Sequence, residues 1–189
     1  SSASSESTSS TLSFTDELHS IEILKYCGDT SYANNVADIV TLVCDSPPTL
    51  AGLAELTHLR SLTLMNYVQR LADLSHASEL EYLEFSHSII EHIDVSANSS
   101  LVTLAIMDTE VTQLDLTQNP EMHSVFIQNT PLERLHFAKQ SNLTDLHIDS
   151  TNIIALDLNS QILLASLSIK NTPLTELDIS NNTLLQKID

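Results

Sequence analysis

The stretch LASLSIKNTPLTELDISNNTL, residues 164–184, repeats the spacing of LTDLHIDSTNIIALDLNSQIL, residues 143–163. Both begin with the pattern L-x-x-L-x-I. This start recurs every 21 residues, and the repeats begin at Leu59, Leu80, Leu101, Met122, Leu143, Leu164 and, cut short, Leu185. A strict period in this range predicts a solenoid, in which each repeat forms one coil and buries its apolar face against its neighbours.

Each repeat holds two short alternations of apolar and polar residues. The first occupies positions 4 and 6 of the repeat, for example Leu104 and Ile106, and alternation of this kind predicts a strand with one buried face. The second alternation predicts another short strand in each coil, at 93–95, 114–116, 135–137, 156–158 and 177–179. A less regular coil of 20 residues precedes these repeats at 39–58, so we expect seven coils and a partial one.

The tetrapeptide NTPL occurs at 129–132 and again at 171–174, at the same place in repeats two apart. Its Thr belongs to a hydroxyl column at position 9, formed by Ser88, Thr109, Thr130, Thr151 and Thr172. A hydroxyl there can bond the backbone as the chain turns inward, and Pro at the next position needs no N–H. NTPL is therefore interpreted as a turn followed by a core Leu.

Together, these motifs resemble those of a known repeat family. The pattern LxxLxIxxT followed by LDL-x-x-N, as in LTQLDLTQNPEM and LTELDISNNTLL, resembles a bacterial leucine-rich repeat, and the 21-residue unit is most similar to the internalin-J-like branch of the internalins. The resemblance covers residues 39–189. Two features depart from that branch: only Cys44 occupies a site of its cysteine ladder, and position 9 is Ser or Thr where most leucine-rich repeats have Asn. The expected fold is an α/β leucine-rich-repeat right-handed solenoid, made mostly of short parallel β-strands.

The resemblance also implies a helical N-terminal cap, for which residues 14–38 are the candidate. FTDELHSIEILKYCG, residues 14–28, has the spacing of an amphipathic helix, with Leu18, Ile21 and Leu24 on one stripe. Such a cap would bring Cys27 close to Cys44 in the first strand. We expect a disulfide between them, and two unpaired core thiols are the alternative.

Residues 1–13 are interpreted as a disordered tether, because SSASSESTSS contains seven Ser and nothing to bury. Ser-rich tethers of this kind resemble those that follow the acylated Cys of bacterial lipoproteins. We therefore expect export, either to the cell surface or outer membrane with a lipid anchor before residue 1, or to the periplasm or medium. A cytosolic tail is the alternative.

The composition argues against several partners. The formal charge is −18, whereas nucleic-acid binding needs clustered Lys and Arg, and an anionic membrane surface would repel this chain. No apolar run of about 18 residues is present, so no transmembrane segment is expected. The last repeat stops in mid-strand, which leaves two interpretations: a natural chain that continues past Asp189, or an edge that pairs with another molecule.

No catalytic motif is apparent, since the chain lacks a Gly-rich phosphate loop, CxxC, HExxH and GxSxG. The Asp residues of position 15, such as Asp94 and Asp115, are interpreted as a solvated outer face, with a weak Ca²⁺ site as the alternative. The five His considered as zinc ligands scatter over different repeat positions, and they are His87, His92, His123, His136 and His147. We expect no catalytic residues, no cofactor and no metal.

The first-strand face is the most informative surface, because apolar residues stand where a solvated sheet face normally has polar ones. Tyr82, Met107 and Phe126 fall on adjacent coils and are expected to form one apolar patch. The complete set of candidate partner-binding residues is Met65, Tyr82, Glu84, Val102, Ala105, Met107, His123, Phe126 and His147. Scattered surface apolar residues are the alternative.

The expected function is non-catalytic: a surface-tethered protein-binding or adhesion module that holds a protein partner on its concave parallel sheet. The functional part of this expectation comes from the resemblance, because leucine-rich repeats mostly act as recognition surfaces. Two other hypotheses remain open. One is a structural protein that self-associates through its C-terminal edge, and the other is an enzyme or a regulatory subunit of one.

Overall fold

The structure is a computed structural model, and it describes residues 18–28, 30 and 33–189. The expected tether at 1–13 and the first four residues of the expected cap lie outside the described residues. The described chain forms twelve strands, which are β1 (Thr41–Asp45), β2 (Ser61–Met65), β3 (Leu71–Ala72), β4 (Tyr82–Ser86), β5 (His92–Ile93), β6 (Thr103–Met107), β7 (Gln113–Leu116), β8 (Ser124–Gln128), β9 (Arg134–Phe137), β10 (Asp145–Asp149), β11 (Ser166–Lys170) and β12 (Lys187–Ile188).

The first strand of every coil joins one parallel sheet, in the order β1-β2-β4-β6-β8-β10-β11-β12. Its register follows the 21-residue period, since Leu62 pairs with Leu83 and Leu83 with Leu104. The line continues through Val125, Leu146, Leu167 and Ile188. The predicted stacking of coil upon coil is therefore confirmed, and positions 4 and 6 are buried except at Ile169 and Ile188 near the C-terminal end.

The second strands are less regular than the sequence predicts. They form only two separate pairs, β3 with β5 and β7 with β9. Residues 156–158 and 177–179 have the predicted alternation, but they form no strand. In a curved solenoid, coils that pair at about 4.8 Å on one side are farther apart on the other, so backbone pairing fails there first. This asymmetry places the eight-stranded sheet on the concave side.

The N-terminal cap differs from the single helix that the stripe predicts. Leu18 and His19 have α-helical backbone, but Ile21 is extended and a 3₁₀ helix follows at Glu22–Tyr26. A second 3₁₀ helix spans Val36–Asp38. The N–H of Ile23 donates to the carbonyl of Ala51 in the first coil, at 3.0 Å. Because the N–H of Ile23 bonds the first coil, it cannot make the bond within the helix that a continuous helix would need.

The cap still covers the open core of the first coil. Ile21 and Ile23 are fully buried, and Leu18 is buried beside them. Gly52 lies so close that an added Cβ would stand 2.6 Å from Ile21 Cγ2, and its φ of 90° also favours glycine. Cys27 and Cys44 form a disulfide that ties the cap to β1.

Each first strand ends in a left-handed residue at position 8 of the repeat. The residues at this position are Ser46, Asn66, His87, Asp108, Asn129, Ser150 and Asn171, and their φ angles are all between 49° and 56°. The Asn side chains also link coils, because Asn129 Nδ2 donates to Asp108 Oδ1 at 2.6 Å. At position 9, Ser88 and Thr172 donate to the carbonyls of Ser86 and Lys170, which closes the same turn.

A column of buried amides holds the second turn. Asn98, Asn119, Gln161 and Asn182 are at most 3% exposed and occupy the same repeat position. Each donates to carbonyls of the preceding coil, as Asn119 Nδ2 does to Val95 at 3.0 Å and Asn98 at 2.8 Å. Coils are therefore joined by side chains on the side where strand pairing is incomplete.

Candidate functional site

The outward face of the eight-stranded sheet carries most of the candidate residues. Phe126 lies near its centre, in β8, and its side chain is 42% exposed. The register places Ala105 of β6 on one side of it and His147 of β10 on the other. The rings of Phe126 and His147 are 6.4 Å apart between centroids and tilted by 39°. An aromatic side chain is thus held between two neighbours and open to solvent above them.

Tyr82 and Glu84 form a hydrogen-bonded pair on β4. The Tyr82 hydroxyl donates to Glu84 Oε2 at 2.5 Å, and both side chains are half-buried. Partial burial of the phenol, followed by its bond to this carboxylate, raises the pKa of Tyr82 to about 12. Tyr82 therefore stays neutral at physiological pH, and it presents a ring edge whose hydroxyl already has a partner.

The candidate residues form a diagonal band across the sheet. Tyr82 is at the start of β4, whereas Met107 is at the end of β6, so they lie about 13 Å apart along the strand direction. Ala105 is between them and only 6% exposed, because it is surrounded by larger side chains. Met65 and Val102 are half-buried and His123 is exposed at the borders of the band. The structure thus brings Phe126, Ala105 and His147 together directly, and the others flank them.

Three outward residues of this face are not among the residues singled out from the sequence. Val43 of β1 is 47% exposed and occupies the same strand position as Phe126 does in its own coil. Asp145 and Asp149 present carboxylates on β10, the strand next to that of Phe126. Asp149 accepts from Asn171 and Ser150, and these two bonds hold its pKa below the usual range. The signal was available, because these residues occupy the same outward repeat positions as Phe126, Tyr82 and Met107.

Apolar side chains are also exposed elsewhere on the molecule. Val68 and Ile89 share repeat position 10 on neighbouring coils and are 52% and 49% exposed, and Ile154 is 72% exposed. Ile154 borders an open outer groove of about 920 Å³, together with Leu135, His136 and Asp157. These side chains are aliphatic and lie away from the sheet face, so they offer a matched comparison for the band.

The acidic column on the outer side is part of the turns. Asp94 Oδ1 accepts from the N–H of Ser96, Asp115 Oδ1 from Thr117 and Asp178 Oδ1 from Ser180, each at 2.9 Å. Bonds from these turn residues hold the pKa of all three carboxyls below the usual range. Their recurrence is explained by turn capping, since an Asp side chain commonly bonds the backbone two residues on.

Over 18–28, 30 and 33–189, no three His, Cys, Asp or Glu side chains converge in a way that could hold a metal ion. In that same part of the chain, no helix has the length and apolar character needed to cross a bilayer.

The register, the concave sheet and the coil-to-coil amide bonds together define a leucine-rich-repeat solenoid. Similar solved structures include internalin C2 from Listeria monocytogenes, which is 18% identical with a TM-score of 0.58 over 82% of this chain and 81% of that chain. The functional domain of InlJ from Listeria monocytogenes, which includes a cysteine ladder, is 18% identical with a TM-score of 0.51 over 82% and 49%. A leucine-rich-repeat protein of Leptospira interrogans is 15% identical, with a TM-score of 0.55 over 81% and 49%.

The chain is thus a leucine-rich-repeat domain whose fold resembles that of the internalins. It spans about half the length of the InlJ domain that it matches. It has no comparable ladder of cysteines, because its two Cys form a single bond between the cap and β1. No protein-family model matches the chain, and no curated protein sequence matches it significantly.

Proposed function

We propose that this domain is a non-catalytic module that binds a protein partner on its concave sheet face. One observation carries the proposal: Phe126 is 42% exposed near the centre of a rigid sheet, with Met107 on the preceding coil and Tyr82 on the coil before that. Aromatic and Met side chains are enriched in the energetically important centre of protein interfaces. A strand-paired backbone holds them in place before binding, which lowers the entropy cost of ordering them.

The same geometry favours binding over catalysis. The sheet face is broad and open, and its Tyr82 and Glu84 side chains bond each other. Catalysis needs reacting groups that converge in a site from which water can be excluded. On the outer side, the carboxylates of Asp94, Asp115 and Asp178 are instead bonded to their own turns.

We further propose that the protein is exported and acts at a cell surface, as an adhesion or contact module. The Cys27–Cys44 disulfide supports export, because such bonds persist in oxidising compartments. The Ser-rich start of the chain fits a flexible tether. An intact-mass measurement on the native protein from membranes tests the anchor: an acyl adduct supports it, and an unmodified mass found only in soluble fractions contradicts it.

A triple substitution tests the binding face. Tyr82→Ser, Met107→Ser and Phe126→Ser together remove the apolar side chains but leave the inward core positions intact. Partner capture from a surface-protein or host extract, with each partner identified by mass spectrometry, is compared between the wild type and the variant. Truncation of a central interface anchor costs about 2 kcal/mol or more, so the specific partner should bind at least about 30-fold more weakly.

The matched control removes three exposed aliphatic side chains from other faces, through Val68→Ser, Ile89→Ser and Ile154→Ser. This control should retain the partner, and circular dichroism should show that both variants fold. Equal capture by wild type and the sheet-face variant would exclude the concave face as the binding site. A mass that rises with concentration in light scattering would instead favour the self-assembling alternative.

A further inference from the structure

The four central coils present only one sign of fixed charge on their sheet side. Their first strands and the adjoining turn residues span 80–87, 101–108, 122–129 and 143–150, and no Lys or Arg occurs there. The same segments hold five carboxylates, which are Glu81, Glu84, Asp108, Asp145 and Asp149. The apolar band around Phe126 is therefore surrounded by negative charge.

Three of these carboxylates have neutral hydrogen-bond partners, so those bonds do not cancel their charge. Glu84 accepts from the Tyr82 hydroxyl, and Asp145 accepts from Thr144 at 2.8 Å. Asp149 accepts from Asn171 and Ser150. The exception is Asp108, which lies 3.0 Å from His87 Nδ1. Lys170 of β11 forms an ion pair with Asp189, but it is also the register partner of Asp149 and offsets part of the Asp149 charge.

Two carboxylates flank Phe126 at distances that a short peptide can span. Glu84 pairs with Ala105, and Ala105 pairs with Phe126, so Glu84 is two strands away, or about 10 Å. Asp145 pairs with Ser124, two residues before Phe126, which makes it a diagonal neighbour at about 7–8 Å. An extended segment covers about 10 Å in three residues.

We propose that the partner of this face is a basic segment, in which an aromatic or large aliphatic side chain contacts Phe126 and Lys or Arg residues on either side meet Glu84 and Asp145. The inference rests on the proposed function and adds the chemistry of the partner. Opposite charge around an apolar contact steers the encounter and rejects acidic partners. Because the carboxylates are exposed or half-buried, the attraction weakens with salt over a Debye length of about 10 Å at 0.1 M.

Synthetic peptides of twelve residues test this directly. One probe has a central Phe with Lys at the third residue on each side, and companions replace both Lys with Gln or with Glu. A fourth probe keeps the Lys but has Ser for Phe. Fluorescence anisotropy with the full chain should show the Lys–Phe peptide binding about tenfold more tightly than the Gln–Phe peptide at low salt, with the difference shrinking as salt rises.

A pair of charge-neutralising variants separates local from overall charge. Glu84→Gln with Asp145→Asn keeps both hydrogen-bond acceptors and should weaken the Lys–Phe peptide about fivefold, with no effect on the Gln–Phe peptide. Glu133→Gln with Glu176→Gln removes the same amount of charge from exposed outer positions. That control should bind the Lys–Phe peptide as the wild type does.

Several outcomes would overturn the inference. They are equal affinity for the Lys and Glu peptides, equal loss in the two charge variants, or no binding of the Lys–Phe peptide up to about 1 mM. Two other results bear on the proposed function itself and not on the charge of the partner. If the peptides bind regardless of charge and the triple Ser variant loses them, the concave face is a binding site without basic selectivity. If the Lys peptides bind equally with Phe or Ser, the apolar band is not the anchor.

Discussion

The residue that ends each first strand has the strictest backbone requirement in the repeat. Position 8 is left-handed in all seven coils, with φ between 49° and 56°. The left-handed conformation is unfavourable for residues other than Gly, and among these Asn and Asp tolerate it best. The Asn of both NTPL copies meets this requirement, which the sequence interpretation assigned only to the Thr and Pro that follow.

Ser150 is the position-8 residue where a substitution should stabilise the protein. Ser150→Asn places a residue suited to a φ of 56° and should raise the free energy of unfolding by about 0.5–1 kcal/mol. Urea denaturation monitored by circular dichroism measures the change. Ser99→Asn is the control, because Ser99 is exposed and is not among the residues with positive φ. A similar gain at both positions would show that the left-handed backbone is not the cause.

At the scale of the element, the turns are held by side chains as much as by strands. The buried amides of Asn98, Asn119, Gln161 and Asn182 donate to carbonyls of the preceding coil, where the second strands pair only in part. The LDL-x-x-N motif contains these Asn residues, so they could have been found from the sequence. Their partners could not, because the carbonyls belong to a different coil.

Removal of one buried amide should destabilise the solenoid. Asn119→Ala deletes two hydrogen bonds to the carbonyls of Val95 and Asn98 and leaves a small cavity, which should cost about 2 kcal/mol. Chemical denaturation gives the value. Gln140→Ala is the matched control, since Gln140 has the same repeat position but is exposed, and its loss should cost less than about 0.5 kcal/mol. Comparable losses would mean that the amide column does not stabilise the turns.

At the scale of the whole molecule, one core runs along the solenoid. Leu62, Leu83, Leu104 and Leu146 are at most 2% exposed and lie one above another, so each coil packs on the next. In such a stack, stability is approximately a sum of coil and nearest-neighbour terms. Interior coils have two neighbours, and their side chains should matter more than those of the last coil.

A pair of identical substitutions tests this dependence on position. Leu104→Ala removes a fully buried side chain between two coils and should lower the free energy of unfolding by about 2–5 kcal/mol. Leu185→Ala removes a partly buried one in the last coil and should cost about 1 kcal/mol or less. Thermal and urea unfolding measure both. Equal costs would contradict a core whose strength depends on contact with both neighbours.

The sequence by itself determined which residues lie inside and how the coils align, because only a 21-residue period keeps Leu62, Leu83 and Leu104 in register as the chain winds. It also marked the outward positions from which the candidate site is drawn. The tertiary structure alone decided the backbone of the cap and the loss of the second strand at 156–158 and 177–179. These features depend on contacts between coils and on curvature. The periodicity of the sequence indicates only which positions are buried in every coil.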